Sequence, residues 1–293
     1  MIYIKMIESI FKEAGVKDKV VDFYIANMKK FEPLLINPTP ILRNKETKRI
    51  ICFFDIIIVS YILAYKYISE EFLKGNVVVG NKKYNSDYNI AFIILMRGIT
   101  HDLITMRNLM CSGFDAQFHS ISRNFIEKSK IFCLCFYDEE FFKNFTQYTD
   151  ISDESLYEEF TKNSKMDKRL SDIAKKHRLQ QKNILSLAVL LDSKKVRDRI
   201  KYLGNPFVHS NNFKQMIGYF LENTNKGKAV NLSILHNTVP LAGDRNKFMC
   251  ELAYLIFHKL PFMIRYNKNN MQEEVCWAML EVYGVYIKYF YPK

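Results

Sequence analysis

Glycine and proline are scarce in this chain, 10 and 7 among 293 residues. A sandwich or barrel needs turn residues about every eight to twelve positions, so the shortage disfavours those folds and points to long helices. The six cysteines, at 52, 111, 133, 135, 250 and 276, contain no Cys-x-x-Cys. Their one close pair, Cys133-x-Cys135, points to two sides of a helix and cannot share a metal. They read as reduced, mostly core residues of a cytoplasmic protein. Also missing are a P-loop, a Gly-x-Gly-x-x-Gly and a Gly-x-Ser-x-Gly, which removes the commonest phosphate-cradling and nucleophile-elbow chemistries. No pair of histidines at i,i+4 with a Glu offers a zinc site, and no metal or cofactor is expected. The first residues, MIYIKMIESIFKEAG, carry acids and lack a long apolar core, so they are not read as a signal peptide. No repeat or low-complexity tract breaks the chain.

What the chain has in quantity is apolar and aromatic mass. Apolar residues make up 48% and aromatics 14%, with 23 Phe and 18 Tyr. That is ample for a large core. Lysine and arginine outnumber acids 43 to 31, a net charge of +12. Such a balance favours a phosphate-bearing partner, whether RNA, DNA, a nucleotide or an anionic membrane; a Lys-, Asn- and Ile-rich composition produces the same sign by itself. Residues 51–65, ICFFDIIIVSYILAY, raise the membrane question directly. A span wants about 20 clean apolar residues, and a central acid costs about 2.5–3.5 kcal/mol there. Asp55 sits inside the run, and Lys48, Arg49 and Lys66 flank it. A buried central helix is therefore expected, with no membrane partner.

The periodicity predicts an all-α multi-helix bundle. Two amphipathic helices, broken near Gly15, occupy the first 32 residues. Pro33, Pro38 and Pro40 make 33–45 a connector. A long helix is predicted over 46–73, then a loop or small hairpin from Gly75 through Lys83. Ser86-Asp87 caps a helix over 87–112, Gly113 stops it, and a second helix follows over 115–137. The short turn makes these two antiparallel neighbours, with position n opposite 227 minus n. Short, exposed helices are predicted over 138–180, with His177 solvated in a charged run. Apolar periodicity returns at 183–191 and 196–203. A helix runs from the Gly204-Asn205-Pro206 step to about 222, a turn covers 223–227, and 228–244 is irregular. Two final helices cover about 245–266 and 270–290. The chain divides into N-terminal helices and connector (1–45), a helical core carrying the site (46–222) and a C-terminal helical segment packed on it (223–293).

The pair 87–112 and 115–137 carries an unusual set of polar residues. Arg97, His101, Thr105, Asn108 and Ser112 follow steps of four and three along the first helix. Asp115, His119, Arg123 and Glu127 recur every four residues along the second. Two arrangements satisfy these stripes. They face solvent, with Arg123 and Glu127 an ordinary i,i+4 pair. Or they face an inner cleft that also receives His209, where a dry lane of unpaired polar groups would be costly. In that cleft the planar fork of Arg123 suits a phosphate, and Glu127 would orient Arg123 or His209. His209 itself ends an Asn-x-x-x-His run after the Gly204–Pro206 bend. Its unperturbed pKa of about 6.5 suits it to acid/base work near neutrality; a buried histidine bonded to a neighbouring helix is the plainer alternative. Residues 162–178, rich in lysine, offer a possible nucleic-acid surface or an ordinary solvated face. His236 and His258 read as loop and core residues.

The stretch MRGITHDLITMRNLMCSGFDAQFHSISRNFIEKSKIF resembles a group of prokaryotic helical proteins with a Gly turn followed by an Arg-x-x-x-Glu signature, here Arg123 to Glu127. The same group carries a His-x-Ser-like segment some 80 residues on, and Tyr202 through Ser210 looks like it, with Asn205 in place of Ser. The likeness covers roughly 90–215. The segment is also similar to the HEPN superfamily and its Arg-Asn-x-x-x-His pattern. Asn205 and His209 match; position 204 is Gly where that pattern has Arg, and the nearest upstream Arg is Arg199. The resemblance implies a HEPN-like helical core, a homodimer, and a metal-independent ribonuclease of toxin–antitoxin or anti-phage defence. It implies His209 as the proton-handling residue and a charged group on the phosphate, supplied here by Arg123 with Glu127. Asn205, Ser210, Arg97, His101 and His119 would bind substrate. RNA or another polyanion is the expected partner, with a protein partner or antitoxin possible. A non-catalytic helical module binding nucleic acid, a nucleotide or a protein is the alternative.

Overall fold

The first helical hairpin is set by a single left-handed residue. Helix α1 (Ile2–Glu13) ends at Gly15, whose φ is +72°. The amide of Val16 donates to the Phe11 carbonyl and that of Gly15 to the Lys12 carbonyl. This is a Schellman ending, which glycine adopts without steric cost. Helix α2 (Asp18–Phe31) follows at once. The computed structural model describes residues 2–31, 45–75, 86–112, 114–147, 163–183, 186–198, 221–224, 227–230, 240–260 and 263. The connector expected over 33–45, the loop from 76 and the last predicted helix lie outside these, apart from residue 45, as do Asn205, His209, Ser210, His236 and Cys276.

Helix α3 (Lys45–Leu73) is the axis of the molecule. Every residue from Ile50 to Ala64 is buried. A helix apolar on all sides must be surrounded, and α1, α2, α4 (Ser86–Ser112) and α9 (Pro240–Phe257) all pack on it. By length and composition, residues Ile50–Leu73 could cross a membrane, but 89% of the stretch's most apolar window is buried inside the protein. Tyr24 of α2 reaches Ser60 with a 2.5 Å hydroxyl contact. Tyr61 donates to the Ala253 carbonyl of α9 at 2.9 Å and stacks obliquely on Phe257. The five described cysteines, 52, 111, 133, 135 and 250, are free thiols and buried.

Helix α5 (Asp115–Tyr137) lies antiparallel to α4, and the two share the most extensive contact of any pair of described elements. Asp138 then joins two helices. Its amide closes α5 on the Leu134 carbonyl, and its Oδ1 accepts from the Phe141 amide to start α6 (Glu139–Gln147). The polar region beyond departs from expectation. Helix α7 (Asn163–Leu179) has 17 residues and packs on α5. It buries Met166, Leu170, Ala174 and His177, a stripe of steps four, four and three hidden among lysines. Helix α8 (Leu187–Leu191) is capped by Ser186, whose side chain accepts from the Val189 amide, and residues 194–198 are helical again.

Most described residues are helical, as the scarcity of turn residues implies. The departure is an antiparallel hairpin, β1 (Leu221–Thr224) with β2 (Gly227–Val230), in the register Leu221↔Val230 and Thr224↔Gly227. The sequence predicts a helix as far as 222 and irregular chain after 227. Asn223, Thr224 and Gly227 are all poor helix formers, and strand pairing satisfies their backbone instead. Helix α9 also starts earlier than predicted, at Pro240 in place of 245. Proline has no amide to lose at the first helical position, and Gly243 is absorbed inside the first turns at a cost of about 1 kcal/mol.

Candidate functional site

The candidate site is built on the α4–α5 pair. Phe92 of α4 meets Phe132 edge-on at 4.6 Å and Phe136 at 6.0 Å. Further along, Lys128 pairs with Asp102 at 2.8 Å, over Gly98, where an added Cβ would stand 3.4 Å from the lysine chain. These partners fall within a turn of the expected opposition of n and 227 minus n. The apolar face of α4, Phe92, Leu95, Ile99, Leu103, Met106 and Met110, is buried.

The polar stripes divide. Arg97, His101 and Thr105 are exposed on the outer face of α4, and Asn108 and Ser112 are half-buried. His119 is only 1% exposed and meets the Phe118 ring edge-on at 5.4 Å. Arg123 Nε donates to Glu127 Oε1 at 2.7 Å, with both side chains about a third exposed (29% and 30%). At 100° per residue, Arg123 shares a side of α5 with Lys130, seven positions on, while Lys128 and Phe132 occupy the side against α4. Lys130 is buried and pairs with Asp167 of α7 at 2.6 Å. So the structure joins Arg123 to Glu127 on the α7 flank of α5, and sets Arg97 and His101 apart from them on the outer face of α4. Asn205, His209 and Ser210 lie outside the described residues.

Three polar centres escaped the sequence reading. The first is the ion pair between Asp55 and Arg107, with two bonds of 2.7 and 3.1 Å and side chains 0% and 2% exposed. Its signal was present: an acid in an apolar run needs a buried cation, and Arg107 shares the apolar face of α4 with Leu103 and Met110. Close by, burial pushes the Cys111 thiol up to about 12, against the pull of Arg107, so it is no nucleophile at neutral pH. The second is Asp102, whose carboxyl burial raises although Lys128 and His101 oppose the rise. The third is His177, predicted solvated. It is 8% exposed, and its Nδ1 lies 2.6 Å from Ser186 Oγ, with the Tyr137 ring 4.6 Å away. Its charged neighbours in sequence point outward, whereas positions three and seven before it, Ala174 and Leu170, belong to the buried stripe. Burial, then Lys182 and Lys176, hold its pKa below the ordinary value.

Among the described residues, no cluster of three or more His, Cys, Asp or Glu is placed to hold a metal ion. No family model, curated protein or solved structure matches the chain.

Proposed function

We propose that this protein is a HEPN-like, RNA-directed effector, a metal-independent endoribonuclease of anti-phage or toxin-type defence, acting in the cytoplasm as a homodimer under the control of a protein partner. The observation that carries the reading is the Arg123–Glu127 pair. The carboxylate engages Nε and fixes the plane of the guanidinium, and the group stays partly open to solvent. The terminal amino groups of such a held fork are what a phosphate would meet. The segment ending Asn205-x-x-x-His209 and the +12 charge support the same reading.

In this mechanism His209 removes the proton of a ribose 2′-hydroxyl. The 2′-oxygen bonds to phosphorus, the bond to the 5′-oxygen breaks, and that oxygen takes up a proton as it leaves. A cyclic phosphate results, and DNA, which lacks the 2′-hydroxyl, is spared. Arg123 neutralises the charge gathering on the phosphate oxygens. Gly204 favours a second reading, a helical module that binds nucleic acid, a nucleotide or a protein without catalysis, since the HEPN pattern has Arg at that position.

The deciding experiment is RNA cleavage by the purified protein in EDTA. Cleavage is expected for the wild type, with a loss of about 10²–10⁴-fold in His209→Ala and a large loss in Arg123→Lys, which keeps the charge and removes the fork. Intact RNA at high concentration of folded wild-type protein would sink the nuclease reading in favour of the binding module.

A further inference from the structure

The positive charge of this protein is concentrated in one place. Residues 163–198 hold ten lysines and arginines against four aspartates, six of the twelve net charges of the whole chain in about an eighth of its length. Helix α7 explains how that density is displayed. Its apolar stripe is spent on α5 and α8, so the opposite face must look outward. Lys165, Lys168, Asp172, Lys175, Lys176 and Leu179 are all exposed, and at 100° per residue they fall within an arc of about 100°. From Lys165 to Lys176 is about 16 Å along the helix, the axial length of about five phosphates of one strand. Lys182 follows just past the helix end, also exposed.

The acids that could cancel this face are mostly engaged elsewhere. Asp167 turns inward to the buried Lys130. Asp192 is buried and takes Arg178 at 2.8 Å and Arg197 at 3.4 Å, two cations on one carboxylate. Among the described residues Asp172 alone stands in the lane, 3.5 Å from Lys175 with both side chains solvated. Lys168, Lys176 and Lys182 form no ion pair among the described residues. Four lysines on one face, over the axial length of about five phosphates and with a single acid among them in the described residues, form an electrostatic footprint for a polyanion backbone. A bilayer fits the face less well. The apolar side of α7 is already buried in the protein, and of its apolar side chains only Leu179 is exposed, so nothing remains to insert into the interface.

We propose that the outer face of α7, with Lys182, is the docking surface for RNA, holding the phosphate backbone without reading its sequence. The proposal rests on the RNA-directed reading above and adds to it where the strand lies, on the helix bridged by Lys130–Asp167 to the Arg123 flank of α5.

The test is binding of a fluorescent single-stranded RNA of mixed sequence between 0.05 and 0.2 M salt. Wild type is compared with Lys168→Gln/Lys176→Gln and with a control pair on α1 and α2, Lys12→Gln/Lys29→Gln, melting curves confirming each fold. Each lost phosphate contact removes about 0.7 from the slope of log K against log salt. The α7 pair is expected to flatten that slope by about 1.4 and to weaken binding about 25-fold at 0.1 M salt, while the control pair stays within about twofold of wild type. The proposal is overturned if wild type does not bind RNA, if the α7 pair binds like wild type, or if the control pair loses as much. It is overturned too if vesicles of anionic lipid bind through the same lysines and RNA does not. Loss of the nuclease reading looks different, as intact RNA with α7-dependent binding retained.

Discussion

Asp55 and Arg107 show how one residue type dictates another far away in sequence. A carboxylate in the middle of an all-round apolar helix cannot stay charged unless a cation is buried with it, and the guanidinium answers with two parallel bonds. Such a pair yields little net stability over a well-packed apolar pair, but breaking it leaves an isolated buried charge. Asp55→Ala is therefore expected to cost about 3–5 kcal/mol in urea unfolding. The double replacement Asp55→Leu with Arg107→Met is expected to recover most of that loss. A single-variant cost below about 1 kcal/mol would contradict the pairing. At this scale the sequence showed the demand, in Asp55, without its partner, because proximity of positions 55 and 107 is a property of the packed helices.

At the scale of elements, the long helices were legible because their apolar spacing, caps and stops agree. Helix α5 falls on its predicted bounds, and α3 and α4 within one residue. Helix α7 was misread because its four-residue buried stripe is outnumbered by lysines. Its C-terminal end carries a testable strain. The amide of Lys182 donates to the His177 carbonyl and that of Gln181 to the Arg178 carbonyl, a Schellman ending with Gln181 at φ +56° where glycine is usual. Gln181→Gly is expected to raise stability by up to about 1 kcal/mol, since the left-handed conformation then has no Cβ penalty. Gln181→Val should lower it, and thermal melts of the two variants should bracket the wild type.

For the whole molecule, a buried histidine, His177, and a half-buried one, His258, couple stability to pH. Burial, more than the neighbouring lysines, lowers the pKa of both His177 and His258. The unfolded chain then takes up protons near about pH 6.5 while the folded one still resists. Their contribution is complete above that pH and is lost as pH falls through the lowered folded values. Asp102, raised by burial, acts in the opposite sense, its contribution lost as pH rises above the ordinary carboxylate range. The melting temperature is expected to fall between pH 7 and 5.5, and His177→Gln to blunt the fall. A melting temperature independent of pH across that range would refute the assignment.

The sequence by itself determined the helical class, the central position of α3 and the α4–α5 hairpin, and offered the i,i+4 pairing of Arg123 with Glu127 as one of two arrangements. Each of these rests on interactions a few residues apart or on composition, and local periodicity encodes them. Only the tertiary structure decided which polar residues are inside. It buried His119 and His177, left Arg97 and His101 in solvent, paired Asp55 with Arg107, and turned the lysines of α7 outward by spending its apolar stripe on α5 and α8. A residue's neighbours along a helix are set by a 3.6-residue repeat, but its neighbours across helices depend on which faces the whole set of apolar surfaces can bury at once.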